Sequence, residues 1–299
     1  MVNPPPGPLI EQYLGIVRQE FAKLGYVDGK SIAFDIRFAR GDLAKHPEFA
    51  ADLVKDNVDA ILTFGGPASA AAKNATSTIP IVFSVVTDPV ALKLAASMQK
   101  PGGNVTGFTN LDPGQAASQI ELLKEAIPSV TRIAILSEEG LPGADSNGLV
   151  PIERDNSGAA QARGLHAQVI RIKGPMPDYD GAFATMLKDN LQALIVLEVP
   201  QQIGNRKRIA DLATKQKLPT VFPGGLSDAG GLLTYGTTVG DTYAGMPAVV
   251  DKILKGTPPG EIPVGVISRR ELIVNATTAA EIGVAIPQPI LSRADKVIR

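Results

Sequence analysis

The sequence contains no cysteine and no tryptophan, and two of its 299 residues are histidine. Without cysteine there is no disulfide, no thiol nucleophile and no thiolate metal site. His46 and His166 lie far apart in the chain and neither is spaced with a cluster of carboxylates, so we predict no metal site and no cofactor. No nucleophile stands beside a plausible base, and we therefore predict no catalytic residues.

The chain also lacks an excess of charge of one sign and lacks a long apolar run. Its formal net charge is -1, and without a basic stripe we predict no nucleic-acid partner. No apolar run approaches the roughly 18 residues of a membrane span, so the chain is predicted not to be membrane-spanning. The first residues, MVNPPPGPLIEQ, lack the basic start and apolar middle of a signal peptide.

The most informative stretch runs from Val58 to Asn110 and alternates strand-like with helix-like segments. Short apolar runs that are rich in β-branched residues predict buried strands at Val58–Phe64, Ile79–Val86 and Val105–Phe108. Segments of helical composition lie between them, at Pro67–Ala75 and Pro89–Gln99. This alternation predicts an α/β fold with a parallel sheet covered on both faces.

The same architecture is repeated after about Asn110–Gly114, so we predict two doubly wound parallel-sheet lobes joined by a multi-strand hinge. Before the central stretch, Ser31–Phe38 alternates like a strand, and the chain is predicted to close with a helix at Ile290–Val297. A sheet of this type normally begins with a strand before its first helix, whereas here a proline-rich loop precedes Leu9–Leu24. We expect that the first strand of lobe 1 is missing, through truncation or a late start codon.

Two turns at the ends of predicted strands are candidates for ligand binding. Gly65-Gly66-Pro67 lets the backbone approach a guest closely and places proline at the first helical position. Thr87-Asp88-Pro89 places a capping side chain before another such proline. Because ligands of open α/β sheets bind at the carboxyl ends of strands, against helix amino termini, these turns predict a small-molecule site. The alternative is that Asp88 has only a structural role, as the cap of a helix.

Several segments resemble the substrate-binding proteins of ABC transporters of the tryptophan/tyrosine type, from about Gly15 to the end of the chain. The segments that carry this resemblance are GYVDGKSIAFDIRFARGD, KNATSTIPIVFSVVTDPV, KPGGNVTGFTN, ELLKEAIPSVTRIAIL, AGGLLTYG and VDKILKGTPPGEIPV. The resemblance implies a type I periplasmic binding protein fold and capture of a solute in an interlobe cleft by hinge closure. It also implies a periplasmic location, with an ABC permease and an ATPase as partners. We expect residues 1–110 plus about 236–264 in the N-terminal lobe, and 111–235 plus about 265–299 in the C-terminal lobe.

The resemblance also implies a set of ligand-binding residues, with some departures from the pattern of the family. Gly66 stands where relatives have the threonine of a Thr-Pro-Ala turn, so a hydroxyl is lost while the amides remain. Asn110 and Val199 stand where relatives often have aspartate. We expect a carboxylate ligand with an apolar or aromatic body. Because an ammonium group that is desolvated without a carboxylate is costly, our hypothesis is that this ligand has no α-amine. The predicted ligand-binding residues are Gly65, Gly66, Pro67, Ala68, Val86, Thr87, Asp88, Thr109, Asn110, Ser137, Glu198, Pro200, Phe222, Gly224, Gly225 and Tyr235.

Some of these residues also have a purely structural interpretation. Phe222 and Tyr235 are of a type more often found in the core, Glu198 could sit in a surface ion pair, and Ser137-Glu138-Glu139 is more simply a solvated segment. Two other functions stay open. One is an α/β hydrolase that uses Asp88 with Glu198 as a carboxylate pair. The other is the effector-sensing core of a transcription regulator, which would need a basic helix-turn-helix that this sequence does not show.

Overall fold

The computed structural model describes residues 1–86, 88–109, 114–267 and 269–299, with the side chain of Val239 left undescribed. Its helices are α1 Pro8–Lys23, α2 Lys45–Lys55, α3 Gly66–Ala75, α4 Gln115–Ala126, α5 Pro151–Ala162, α6 Tyr179–Lys188, α7 Pro200–Gly204, α8 Arg206–Lys215, α9 Val239–Leu254, α10 Ala276–Ile282 and α11 Gln288–Arg293. Its strands are β1 Ile61–Phe64, β2 Ile81–Val86, β3 Val105–Thr109, β4 Arg132–Glu138, β5 His166–Ile172, β6 Ala193–Val196, β7 Thr220–Pro223, β8 Leu233–Thr237, β9 Gly265–Val266, β10 Arg270–Asn275 and β11 Lys296–Ile298. Among these elements no helix is long and apolar enough to cross a membrane.

The contacts divide the chain into two compact units, each assembled from separate pieces of sequence. Unit 1 comprises residues 1–111, 140–144 and 239–267, and unit 2 comprises residues 112–139, 145–238 and 268–299. Three of the crossings between the units, near residues 111, 239 and 267, lie close to the boundaries at 110, 236 and 264 that were expected from the sequence. The assignment of residues 140–144 to unit 1 has no counterpart in that expectation.

Unit 1 contains a parallel sheet in the order β1-β2-β3-β9. All six residues of β2 are buried, as expected for an inner strand with helices on both faces. Helices α2 and α3 pack against each other, as do α1 and α9. The stacked rings of Phe64 and Tyr243, with centroids 4.5 Å apart, tie α9 to β1. This sheet positions the two candidate turns at the carboxyl ends of β1 and β2.

Unit 2 contains a larger sheet in the order β11-β10-β8-β7-β6-β4-β5. Its pairs are parallel except for β8 with β10, which is antiparallel. Its inner strands β4, β6 and β7 are almost wholly buried, as their continuous apolar sequences predict. The α/β architecture predicted from the sequence is therefore confirmed in each unit, with one antiparallel pair added.

Three predicted elements are wrong. The predicted strand Ser31–Phe38 makes only isolated bridges at Ile32 and Phe38, because no partner runs along the residues between them. The predicted helix Pro89–Gln99 is a series of turns, in which Lys93 takes a left-handed φ of 55°. The predicted closing helix Ile290–Val297 is shorter, since α11 ends at Arg293 and the chain then pairs with β10 as β11.

Candidate functional site

The turn from β1 into α3 is held in place by main-chain and hydroxyl hydrogen bonds. Gly65 has a φ of 100°, which only glycine adopts without strain. Its amide donates to the carbonyl of Ser84 on β2 at 2.9 Å. Its carbonyl accepts from the amide of Ser69 at 3.1 Å and from the Ser69 hydroxyl at 2.8 Å. The amides of Gly66 and Ala68 therefore precede the first bond inside the helix, and such amides can hold an anion.

The space above Gly66 is limited by two side chains of unit 1. A Cβ atom at Gly66 would lie 3.1 Å from Cδ1 of Leu92 and 3.6 Å from Cγ of Pro142. A larger side chain at this position would thus press on Leu92. Gly66 has no side chain, so its main-chain amide is the donor that this residue offers to a ligand.

Val86 and Thr109 lie together at the ends of β2 and β3. Both are buried, and the Thr109 hydroxyl donates to the carbonyl of Val86 at 2.6 Å. The pairing of β2 with β3 is irregular between Phe83 and Val86, and Val85 has a φ of 56°. A β-branched residue in this region is strained, and such strain is concentrated at functional sites. Thr87 and Asn110, the neighbouring predicted site residues, lie outside the described residues.

Asp88 acts as a cap in this structure. Its Oδ1 accepts from the amides of Val90 at 3.1 Å and Ala91 at 2.9 Å. The capped segment is a single turn that ends at Lys93. The hydrogen bonds of Asp88 thus favour the interpretation that it is a cap.

In unit 2, Ser137 and Pro200 are brought together at the ends of β4 and β6. The side-chain amide of Gln202, in the helix that Pro200 begins, donates to the carbonyl of Ser137 at 2.6 Å. The amide of Gln201 donates to the carboxylate of Glu138 at 3.1 Å. Ser137 and Glu138 are almost completely buried, so the prediction that this segment is solvated is wrong for them, because β4 continues two residues further than expected.

Glu198 precedes α7 and is 4% exposed, so it does not lie in a surface ion pair. The predicted alternative of an exposed pair is therefore wrong, because the loop between β6 and α7 lies inside unit 2. The assignment of Glu198 to the ligand-binding site stays a prediction.

The remaining predicted residues of unit 2 cluster around β7 and β8. Phe222 is fully buried and packs on Gly231, where a Cβ atom would lie 2.2 Å from the ring. Gly224 lies so close to β8 that a Cβ atom there would be 2.1 Å from the carbonyl oxygen of Thr237. Gly225 has a φ of 75°. Tyr235 is partly exposed, and its carbonyl accepts from the side chain of Gln119 at 2.8 Å.

One ion pair of unit 2, between a buried glutamate and a partly exposed arginine, was not anticipated from the sequence. The carboxylate of Glu153, whose side chain is 0% exposed, accepts from Arg171 at 2.9 and 2.7 Å. Burial raises the pKa of Glu153, but the hydrogen bonds from Arg171 and from the Val150 amide outweigh it and hold the pKa below its ordinary value. Arg171 lies on β5 and Glu153 lies on α5, and no spacing rule in the sequence links the two residues.

The described residues contain no group of three or more histidine, aspartate or glutamate side chains that could hold a metal ion. His46 is 1% exposed, and its burial lowers the pKa of its imidazole to about 4. The neutral ring is thus a core side chain of α2. The polar groups that the candidate turns present to a ligand are thus main-chain amides and hydroxyls, not metal-binding side chains.

Comparison with known proteins places this geometry in a family. The model of the family described as ABC transporter substrate binding protein matches residues 7–298. A curated relative, the "Tyrosine-binding protein" of Clostridioides difficile (strain R20291), is 26% identical over 262 residues, which cover 85% of this chain and 71% of the relative.

Two solved structures share the fold over nearly the whole chain. A conserved domain protein from Vibrio cholerae is 27% identical with a TM-score of 0.85, covering 96% of this chain and 95% of that one. An ABC domain from Streptococcus pneumonia in complex with L-Trp is 23% identical with a TM-score of 0.84, covering 99% of each chain. The fold is that of a type I periplasmic binding protein, and the chain belongs to the family of ABC transporter substrate-binding proteins.

Proposed function

We propose that this protein is the solute-binding component of an ABC importer and that it captures a small carboxylate ligand with an aromatic body. The observation that carries the proposal is the match of the family model to residues 7–298, which leaves little of the chain outside the family. The partners would be a permease and an ATPase, the place of action would be outside the cytoplasm, and the ligand would leave chemically unchanged.

The aromatic part of the proposal is supported by what related proteins bind. One relative is named for tyrosine and one structure of the same fold holds L-Trp. The carboxylate part is supported by the turn from β1 into α3. Main-chain amides at a helix amino terminus favour an anion, because they lack partners within the helix and carry the positive end of its dipole.

The charge of the ligand's other end is a separate question. Val199, where relatives often carry an aspartate, is 4% exposed and apolar. An ammonium group placed near it without a carboxylate partner would lose its hydration without compensation. We therefore propose that aromatic acids without an α-amine bind at least as well as the matching amino acids.

Calorimetry with matched pairs of ligands tests the proposal. Each pair differs only in the α-amine: L-tryptophan with indole-3-propionate, L-tyrosine with 3-(4-hydroxyphenyl)propionate, and L-phenylalanine with 3-phenylpropionate. We expect binding of one or more pairs, with the deaminated member equal or tighter. Tryptamine, which lacks the carboxylate, should not bind. If an amino acid bound tightly and its deaminated partner did not bind, the hypothesis that the ligand has no α-amine would be rejected. If no member of any pair bound, the hypothesis of an aromatic ligand would be rejected.

A pair of glycine variants tests the turn itself. Gly66→Val would push against Leu92 and displace the helix-terminal amides, so the best ligand should bind about tenfold more weakly, or about 1.4 kcal/mol. Gly15→Val is the matched control, because nothing lies within 4 Å of a Cβ atom at Gly15. Equal affinities for the two variants, with both proteins folded by circular dichroism, would remove this turn from the binding site.

A further inference from the structure

Two apolar side chains of unit 1, Leu92 and Pro142, lie over the turn from β1 into α3. Measured from the place where a Cβ atom of Gly66 would stand, Cδ1 of Leu92 is 3.1 Å away and Cγ of Pro142 is 3.6 Å away. Gly66, Leu92 and Pro142 are all partly exposed, so none of them is closed off inside the core. The amides at the start of α3 are therefore bordered by two accessible apolar groups.

Leu92 is held in position by the segment that Asp88 caps. Oδ1 of Asp88 accepts from the amides of Val90 and Ala91 at 3.1 and 2.9 Å. The amide of Leu92 donates to the carbonyl of Asp88 at 3.1 Å. On its buried side Leu92 packs against the hydrophobic core of unit 1. Asp88 thus holds the turn that presents Leu92.

Helix α3 is also connected to the residues that follow Leu92. Lys73, in the last turn of this helix, donates to the carbonyl of Lys93 and, at 3.3 Å, to the carbonyl of Leu94. Gly66 begins the same helix. These bonds therefore help to keep Leu92 beside the amides of the turn.

Pro142 is presented by a segment with little backbone freedom. Residues 140–144 belong to unit 1, although the residues on either side of them belong to unit 2. Gly140 and Gly143 have φ angles of 79° and 87°, which glycine adopts without strain, and the ring of proline fixes its own φ. Gly140 packs on Leu43, since a Cβ atom there would lie 3.0 Å from Cδ1. A group that is already ordered loses little entropy when a ligand packs on it.

We propose that Leu92 and Pro142 form an apolar wall against which the body of the ligand packs, and that this wall sets the size of body that the protein accepts. The inference rests on the proposed function, because it takes the carboxylate of the ligand to be held by the amides of Gly66 and Ala68. An apolar wall beside these amides excludes water, and a hydrogen bond to a carboxylate is stronger in less polar surroundings. Neither side chain of the wall can form a hydrogen bond, so the wall selects the body by shape and area.

Asp88 is a positioning residue in this arrangement, because its carboxylate acts on the ligand through Leu92. Asp88→Ala removes the cap, so an aromatic acid should bind about threefold more weakly. Asp88→Asn keeps a capping side chain and should restore the affinity, since asparagine caps as well as aspartate. If Asp88→Asn bound as weakly as Asp88→Ala, the charge of Asp88 would be required and the positioning role would be overturned.

Calorimetry with two pairs of probes tests the wall. The pairs are 3-phenylpropionate with 3-(2-naphthyl)propionate, and L-phenylalanine with 3-(2-naphthyl)-L-alanine, so the members of a pair differ only in ring size. Leu92→Ala removes apolar area, and the phenyl member should bind about tenfold more weakly. The space that is left accommodates the larger ring, so the ratio of the two Kd values should shift by about fivefold towards the naphthyl member. Pro142→Ala should shift the same ratio by about threefold.

Leu24→Ala and Pro258→Ala are the matched controls, because both residues are exposed and belong to unit 1. They should leave both Kd values unchanged, and the unfolding temperature of every variant shows that it is folded. If the parent protein bound a pair and neither wall variant changed the ratio, the wall would be overturned while the proposed function would stand. If the parent bound no member of either pair, the proposed function and the wall would both be overturned.

Discussion

The ion pair between the buried Glu153 and the partly exposed Arg171 allows a quantitative prediction about unit 2. Arg171→Met keeps the length and apolar stem of the side chain but leaves the carboxylate of Glu153 inside α5 without its guanidinium. Removing one partner of a buried ion pair costs about 3–5 kcal/mol, because the other charge stays desolvated. Arg171 is itself 38% exposed, and Glu153 keeps the bond from the Val150 amide. We therefore expect a lower cost of about 2–3 kcal/mol.

Urea denaturation of the purified protein at pH 7 measures this cost. The unfolding of unit 2 is followed by hydrogen exchange at the backbone amides of β4 and β5. The matched control is Arg163→Met, which breaks a pair with Glu121 at 3.2 Å, where the glutamate is 66% exposed. A pair of that kind is worth about 0–1 kcal/mol. The double variant Glu153→Leu with Arg171→Met should recover most of the loss, because no buried charge is left unpaired.

The dependence on pH has a definite sign. In the parent protein the pKa of Glu153 is lowered on folding, so its contribution is complete above the unfolded value and is lost as the pH falls below it. Without Arg171, the bond from the Val150 amide remains, but we expect burial to outweigh it and to raise the pKa of Glu153, so that the folded variant prefers the protonated acid. The difference in stability between parent and variant should therefore be largest at neutral pH and shrink towards pH 4. A cost no larger than that of Arg163→Met, or one independent of pH, would refute this reasoning.

Two further predictions concern unit 1. Gly245→Ala should destabilise the protein by about 1–3 kcal/mol, because a Cβ atom there would lie 2.4 Å from the ring of Phe108. The control Gly158→Ala, in a helix with nothing within 4 Å, should be neutral or stabilising by about 0.5–1 kcal/mol, and equal effects in urea denaturation would contradict the packing argument. His46 has a folded pKa of about 4, below its unfolded value of about 6.5, so its neutral form adds stability above pH 6.5 that is lost as the pH falls towards 4. His46→Leu should flatten the loss of stability over that interval, and an unchanged slope would exclude His46 as its source.

The sequence by itself determined most of the architecture. Runs such as Ile79–Val86 are apolar throughout and β-branched, and only a strand buried on both faces uses such a run, so β2 lies there. The helical spacing of Leu9–Leu24 and Thr242–Lys255 similarly places α1 and α9 to within a few residues. These signals are local, because periodicity and the turn residues that bound each segment are properties of neighbours along the chain.

The sequence also located the turns at which a ligand is expected, since glycine and proline at strand ends have few other uses. It could not tell what lies above them. Pro142, which lies beside the turn at Gly66, comes more than 70 residues later in the chain, and no motif in the sequence predicts that contact.

Only the tertiary structure decided which segments find partners. Ser31–Phe38 has the alternation of a strand but makes only isolated bridges, because pairing needs a neighbouring strand and, among the described residues, none runs along residues 33–37. Lys93 ends the turn after Asp88 where composition alone favoured a helix. Ser137 and Glu138 read as solvated residues, yet β4 carries them into the interior. In each case the deciding interaction is with residues distant in sequence, and a local pattern contains no information about them.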